Sequence, residues 1–294
     1  MSKHTSLFFA LALTVASGLV GTTAANAAPL PAEIKTGDFA VGVQAYTFHN
    51  FTLFEGVEKA AHAGAKVIEF YPGQTLSKDD KAKFGHNISE AQIAAVKALL
   101  NKFGVVAVNY GVVDIPNDEQ KARQIFDFAK KMGFYALSTE STDSIDIIEK
   151  LAKEYDIRVG FHNHPRQPKN AKYKVWDAQY VRDLVKDRDP RIGAAADVGH
   201  WATDNFNAVE NLKILEGRLI SIHAKDRPEV GPRARTKDVA LGTGALNFPA
   251  ILDELKRQNF QGNISIEHES NWKNNVPEVA AGIGFVRGYA AGKK

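Results

Sequence analysis

The chain has 294 residues, a formal net charge of +3 at pH 7, 44% hydrophobic residues and no cysteine. So balanced a charge leaves no electrostatic footprint for nucleic acid, and the missing thiols exclude disulfides and thiolate metal centres. Any metal must therefore be held by histidine, aspartate and glutamate.

Lys3 and His4 precede the apolar run LFFALALTVASGLVG, and Ala25-Asn26-Ala27 follows it as a small-residue cleavage site. This is the pattern of a secretory signal peptide over residues 1–27, cleaved after Ala27. The run is short for a membrane span and no other long apolar stretch exists, so the mature chain is expected to be soluble, without a membrane span after signal cleavage, and periplasmic or secreted. Residues 28–38 read as a tether. Residues 39–294 read as one α/β domain, because an α/β barrel needs roughly 250 residues and no linker divides them.

From residue 39 a strand-then-helix unit repeats. AVGVQAYTFHN is a strand ending near His49, followed by helical spacing of Val57, Ala60 and Ala61 over 56–63. Residues 66–70 (KVIEF) form the second strand, and Ser89 with Gln92 sets a capping box for a helix over 90–103. The third strand spans 105–110 with its helix at 118–132, and the fourth spans 134–139 with its helix at 145–155. The fifth runs over 157–161 into His162-Asn163-His164-Pro165, with a helix at 178–186. Residues 192–196, 219–222 and 263–266 supply strands six to eight, and 277–289 a closing helix. Eight strands, mostly apolar on both faces and alternating with helices, predict a single (β/α)8 TIM barrel. An open doubly wound sheet fits less well, because no glycine follows the first strand in His49-Asn50-Phe51-Thr52.

The C-terminal rim of such a barrel is where chemistry gathers. His49, His162, His164, His200, His223 and His268 all fall there, with Glu69, Glu140, Asp197, Asp226, Glu267 and Glu269. So many ionisable groups in one rim are costly unless a cation compensates them. The strand RIGAAADVGHW delivers Asp197 and His200 together, although Asp197 also suits a helix N-cap.

DVGHW, SIHAKD, LGTGALNFPAIL and SIEHE, in that order, make the chain resemble the xylose isomerase-like TIM barrel superfamily, which includes sugar isomerases, epimerases and the apurinic endonuclease family 2 branch. The resemblance implies one divalent metal ion, manganese, magnesium, cobalt or zinc, bound by Asp197, His223 and Glu267 and by a fourth ligand. Many members carry a glutamate at the end of strand five, where this chain has His162; Glu140 from strand four is the preferred fourth ligand, and His162 the alternative. The resemblance also makes His200 a partner of substrate hydroxyls and Glu69 a substrate-facing acid, with a salt bridge across the barrel floor as the equal alternative for Glu69.

His162 and His164 alternate on one strand and suit a general base or a hydrogen bond to a rim loop, and Lys225 suits an enolate oxygen or, equally, a pair with Asp226. His49, Tyr110, His200 and Trp201 are expected to bind substrate, with Tyr46, Phe48 and Trp272 as further rings to stack on a sugar, although core packing is the commoner role of aromatics on barrel strands. Gly242-Thr243-Gly244 lacks the lysine of a phosphate cradle, and Arg233 and Arg235 suit an anionic substrate or solvent.

The expected function is an exported metal-dependent isomerase or epimerase of an unphosphorylated sugar or keto-sugar. A proton next to a carbonyl is abstracted and an enediolate formed, with the ion as Lewis acid. β-Elimination by a keto-glycoside lyase, or a non-catalytic carbohydrate-binding barrel, are the alternatives. Export, near-neutral charge and the lack of extra histidines on strands two and three oppose the endonuclease branch. The pattern is compatible with a homo-oligomer.

Overall fold

Among the residues described by the computed structural model, 29–232 and 237–292, eight parallel strands hydrogen-bond in sequence order and close on themselves. They are β1 (Ala40–Gln44), β2 (Val67–Phe70), β3 (Val106–Tyr110), β4 (Ala136–Thr139), β5 (Arg158–His162), β6 (Ile192–Asp197), β7 (Leu219–Ala224) and β8 (Asn263–Ile266). Closure is made by β8 on β1, with Val43 opposite Ile266. The leader expected over 1–27, and Arg233 and Arg235, lie outside the described residues.

The helices begin where the sequence supplies caps. Thr52 and Glu55 form a capping box for α1 (Leu53–His62), and Ser89 and Gln92 do the same for α2 (Glu90–Phe103), which stops at the left-handed Gly104. Asp118 caps α3 (Glu119–Met132), α4 is Ile145–Tyr155, and Asp177 caps α5 (Ala178–Val185). Two short helices, α6 (Val198–Thr203) and α7 (Ala208–Ile214), follow β6, and α8 (Phe248–Arg257) follows β7. None of these three is expected from the sequence pattern. The chain closes with α9 (Val276–Gly292).

Helix faces with three- and four-residue spacing, such as Leu53, Val57 and Ala60, pack on outward strand residues including Val43, Ile68 and Phe70. Each buried aliphatic chain contributes about 1.5–3 kcal/mol. The expected first strand is shorter than predicted. It stops at Gln44 because the Gln44 side chain accepts the Tyr46 N–H at 2.7 Å and starts a 3-10 turn over Ala45–Phe48.

The barrel interior is layered. Leu30 and Ile34 are buried against Ala40, Val67 and Val108 at the N-terminal mouth, so the stretch read as a tether packs as a plug. Above it lies a polar layer. Asn109 donates to Ser138 at 2.9 Å and Ser221 at 3.3 Å, while Glu69 accepts from Ser138 at 3.2 Å and Ser265 at 3.1 Å. That layer is the floor of the C-terminal rim.

Candidate metal centre

Four consecutive strands bring one side chain each to the centre of the rim: His162 ends β5, Asp197 ends β6, His223 lies on β7 and Glu267 directly follows β8. His162 Nε2 is 3.2 Å from His223 Nδ1, which is 3.1 Å from Glu267 Oε2 and 3.9 Å from Asp197 Oδ2. His162, Asp197 and His223 form a possible metal-holding group, with donor atoms within 4.8 Å of one another. Asp197 Oδ2 and Glu267 Oε2 are buried and face the centre, with the Lys225 ammonium 3.3 and 3.2 Å away as counter-charge. Two buried anionic oxygens and two imidazoles aimed at one point are a donor set that fits a borderline divalent ion.

Asp197 and His223 are held from behind. Asp197 Oδ1 accepts the His200 N–H at 2.8 Å, and Asn163 clamps the Asp197 backbone, donating to its carbonyl at 3.0 Å and accepting its N–H at 2.8 Å. Glu69 Oε1 faces His223 Nε2 at 3.1 Å. Burial disfavours a charged His223, but the Glu69 and Glu267 carboxylates outweigh it and raise its pKa well above the usual value. The centre thus attracts positive charge.

Lys225 supplies some of that charge. Its ammonium is fully buried, 3.3 Å from Asp197 Oδ2, 3.2 Å from Glu267 Oε2 and 3.1 Å from Glu269 Oε1. Burial opposes the charge, but these three carboxylates keep the lysine protonated. It does not line the cavity, which corrects its expected role at an enolate oxygen. A Cβ on Gly199 would lie 2.7 Å from Lys225 Cβ and Cγ, so glycine lets α6 rest on the lysine stem.

Glu140 stands apart from this ring. Its Oε1 accepts from Tyr173 at 2.9 Å, lies 2.5 Å from His164 Nδ1 and reaches His162 Nδ1 at 3.4 Å. With His162 and His164 it forms a second possible metal-holding group, sharing His162 with the group of Asp197 and His223. Burial raises the Glu140 pKa, but the two histidines more than reverse this and hold it below the carboxylate range.

A cavity of about 450 Å³ opens above the centre. His162, His164, His200, His223, Glu267 and Glu269 line one side, and Gln44, Tyr46, Tyr71, Pro72, Val112 and Trp272 the other. His200 is thus where a substrate partner was expected, and its pKa is pushed well down by burial and by Lys225.

Several expected site residues lie elsewhere. Tyr110 is buried outside the barrel among Phe84, Phe128 and Phe134, because the register shift opposite Ile68 and Glu69 turns Asn109 inward and Tyr110 toward the helices. Trp201 is 2% exposed, with its indole donating to the Trp176 carbonyl, and Phe48 is fully buried. His49 stacks behind Tyr46 without lining the cavity. Glu69 is in the floor, so it supports His223 rather than facing substrate. Gly242 and Gly244 donate to Asp226 Oδ2 at 2.9 and 3.0 Å, so that loop caps an aspartate.

Gln44, Tyr71, Pro72 and Val112 are wall residues that the sequence pattern does not single out, and Glu269, expected at the rim, had no assigned role. Glu269, two residues beyond Glu267 on an alternating strand end, was the one with a signal.

Over 85% of its length and 98% of the other chain, the protein superposes on a putative uncharacterized protein from Parabacteroides distasonis, at 30% identity and a TM-score of 0.67. It also shares its fold with a D-tagatose 3-epimerase-like protein (19% identity, TM-score 0.65, 85% and 97% covered) and D-psicose 3-epimerase from Clostridium cellulolyticum (14%, 0.65, 85% and 99%). Among curated proteins it is 26% identical over 152 residues to the rhizopine catabolism protein MocC of Rhizobium meliloti, covering 47% of this chain and 45% of that protein. The chain spans less than half the length of the curated relatives it matches. No helix among the described residues is long and apolar enough to cross a membrane. Residues 57–289 match the family described as the xylose isomerase-like TIM barrel, and the chain belongs to that family.

Proposed function

We propose that the protein is a divalent-metal-dependent isomerase or epimerase of a sugar or keto-sugar, working by proton movement next to a carbonyl. The observation that carries this reading is the gathering of His162, Asp197 and His223 donor atoms at the rim, with Glu267 Oε2 joining them 3.1 Å from His223 Nδ1. These four are the proposed ligands. Glu140 becomes the carboxylate that orients His162 from behind, in place of its expected role as a ligand. When bound, the ion supplies Lewis acidity to a carbonyl oxygen and its neighbouring hydroxyl.

The remaining chemistry belongs to this chain's side chains. Asp197, capping α6 through Oδ1, presents Oδ2; His223, held at Nε2 by Glu69, presents Nδ1; His162, facing Glu140 with Nδ1, presents Nε2. Lys225 balances the excess negative charge. His164, His200 and Glu269 reach the cavity, where they can position hydroxyls and move the proton. The epimerase names of the structural neighbours support the reaction class, and the leader would place it in the periplasm or outside the cell. Incubation with a panel of sugars and 3-keto-sugars in deuterated water tests the reading: metal-dependent α-carbon deuterium incorporation is expected, and its absence with every member contradicts catalysis on that panel.

A further inference from the structure

The cavity above the metal centre is divided by chemistry. Its histidines and glutamates come from the β5–β8 side, whereas Tyr46, Tyr71, Pro72 and Val112 come from the ends of β1–β3 and Trp272 from the segment after β8. Gln44 adds little polarity there, because its amide is spent on the Gly111 carbonyl at 2.9 Å and the Tyr46 N–H at 2.7 Å.

The aromatic side is a braced wall. Tyr46 meets Tyr71 edge-on at 5.2 Å and Trp272 at 6.1 Å, and His49 stacks behind Tyr46 at 4.8 Å while meeting Trp272 at 4.1 Å. Tyr46 is nevertheless 39% exposed, the one aromatic among the exposed large hydrophobics of the described residues. A fixed ring left facing a cavity is a binding surface rather than core packing.

A sugar that offers its carbonyl and adjacent hydroxyl to the histidine–carboxylate side fills that side and leaves the aromatic wall beyond it. The cavity, about 450 Å³, falls within the roughly 300–1,000 Å³ of pockets that hold drug-sized molecules, more than a single pyranose needs. We propose that Tyr46, Tyr71 and Trp272 form a second subsite that takes the flat face of a ring joined glycosidically to the reacting sugar, so that the preferred substrate is a glycoside rather than a free monosaccharide. The placement of the reacting ring rests on the proton-moving reading above. An aryl ring and a second pyranose present the same kind of apolar face, and the test separates them.

The test measures, by calorimetry on the manganese-loaded protein, the affinities for methyl 3-ketoglucoside, phenyl 3-ketoglucoside and 3-ketocellobiose, in wild type, Trp272→Ala and Tyr46→Ala. The phenyl or the glucosyl compound should bind about tenfold more tightly than the methyl compound, the size of one good stacking contact. That ratio should fall toward one in both variants, and the arm that shows it names the second ring. Equal affinities in wild type, or a preference that survives both substitutions, overturn the subsite and leave the metal-centre reading standing. No binding of any of the three overturns both. A preference without deuterium incorporation upholds the subsite and overturns the proton-moving reading.

Discussion

Asp197 and His200 are tied by one hydrogen bond, the His200 N–H donating to Asp197 Oδ1 at 2.8 Å. The carboxylate that starts α6 is thereby split between two tasks, capping with one oxygen and facing the centre with the other. Asparagine keeps the cap and loses the anionic oxygen. Asp197→Asn should fold with nearly wild-type stability in the absence of metal and bind manganese at least about 100-fold more weakly. Asp197→Ala should in addition lose about 1 kcal/mol of stability. Metal titration and urea denaturation on the same samples check both halves.

Glu140 and His162 are distinguished by metal affinity. Glu140→Gln should weaken binding by about 10–100-fold, as the loss of an orienting carboxylate does, whereas His162→Ala should abolish stoichiometric binding. Full metal content in His162→Ala beside an empty Glu140→Ala would restore Glu140 as the ligand.

Lys225 holds three carboxylates together in a fully buried site. Lys225→Met leaves Asp197, Glu267 and Glu269 with His223 as their nearest remaining counter-charge, a change expected to cost about 3–5 kcal/mol in the metal-free protein. Added manganese should recover part of that loss, because the ion restores positive charge at the same oxygens. Urea denaturation with and without the ion reads both effects, and a metal-free variant as stable as wild type contradicts the role assigned to the lysine.

Glu55 gives a pH dependence remote from the centre. Its hydrogen bonds with Lys78 and with the Thr52 N–H hold its pKa at about 2, below the ordinary 4.5. A depressed carboxylate contributes stability that is fully present above its unfolded pKa and is lost as pH falls through the folded one. The stability difference between wild type and Glu55→Gln should therefore be constant above pH 5 and shrink between about pH 4.5 and pH 2. A difference that does not change over that window would show that the ionised form adds nothing to the cap.

The strand ends were legible because apolar runs stop at ionisable residues: Asp197, His223 and Glu267 stand where RIGAAAD, LISIH and NISIE leave the barrel. Depth along a strand was not legible. Glu69 points inward like a site residue, but it sits one layer down, where only Ser138, Ser265 and Asn263 reveal it as floor. Face was lost where the register shifts, which moved Tyr110 from the rim to the helix layer. Helices α6 and α7 were missed because they are short and held by caps and tertiary packing, and α6 starts on the very aspartate read as a ligand. The choice between Glu140 and His162 depends on which side chain reaches across from β4 or β5, and spacing along the chain carries no such distance.

The most direct measurement is anomalous X-ray scattering at the manganese edge from crystals of the manganese-loaded protein. One peak should lie among His162 Nε2, Asp197 Oδ2, His223 Nδ1 and Glu267 Oε2, at ligand distances and with Glu140 outside its shell. A peak held by Glu140 and His164 instead, or none at the barrel rim under saturating metal, would contradict the proposed centre.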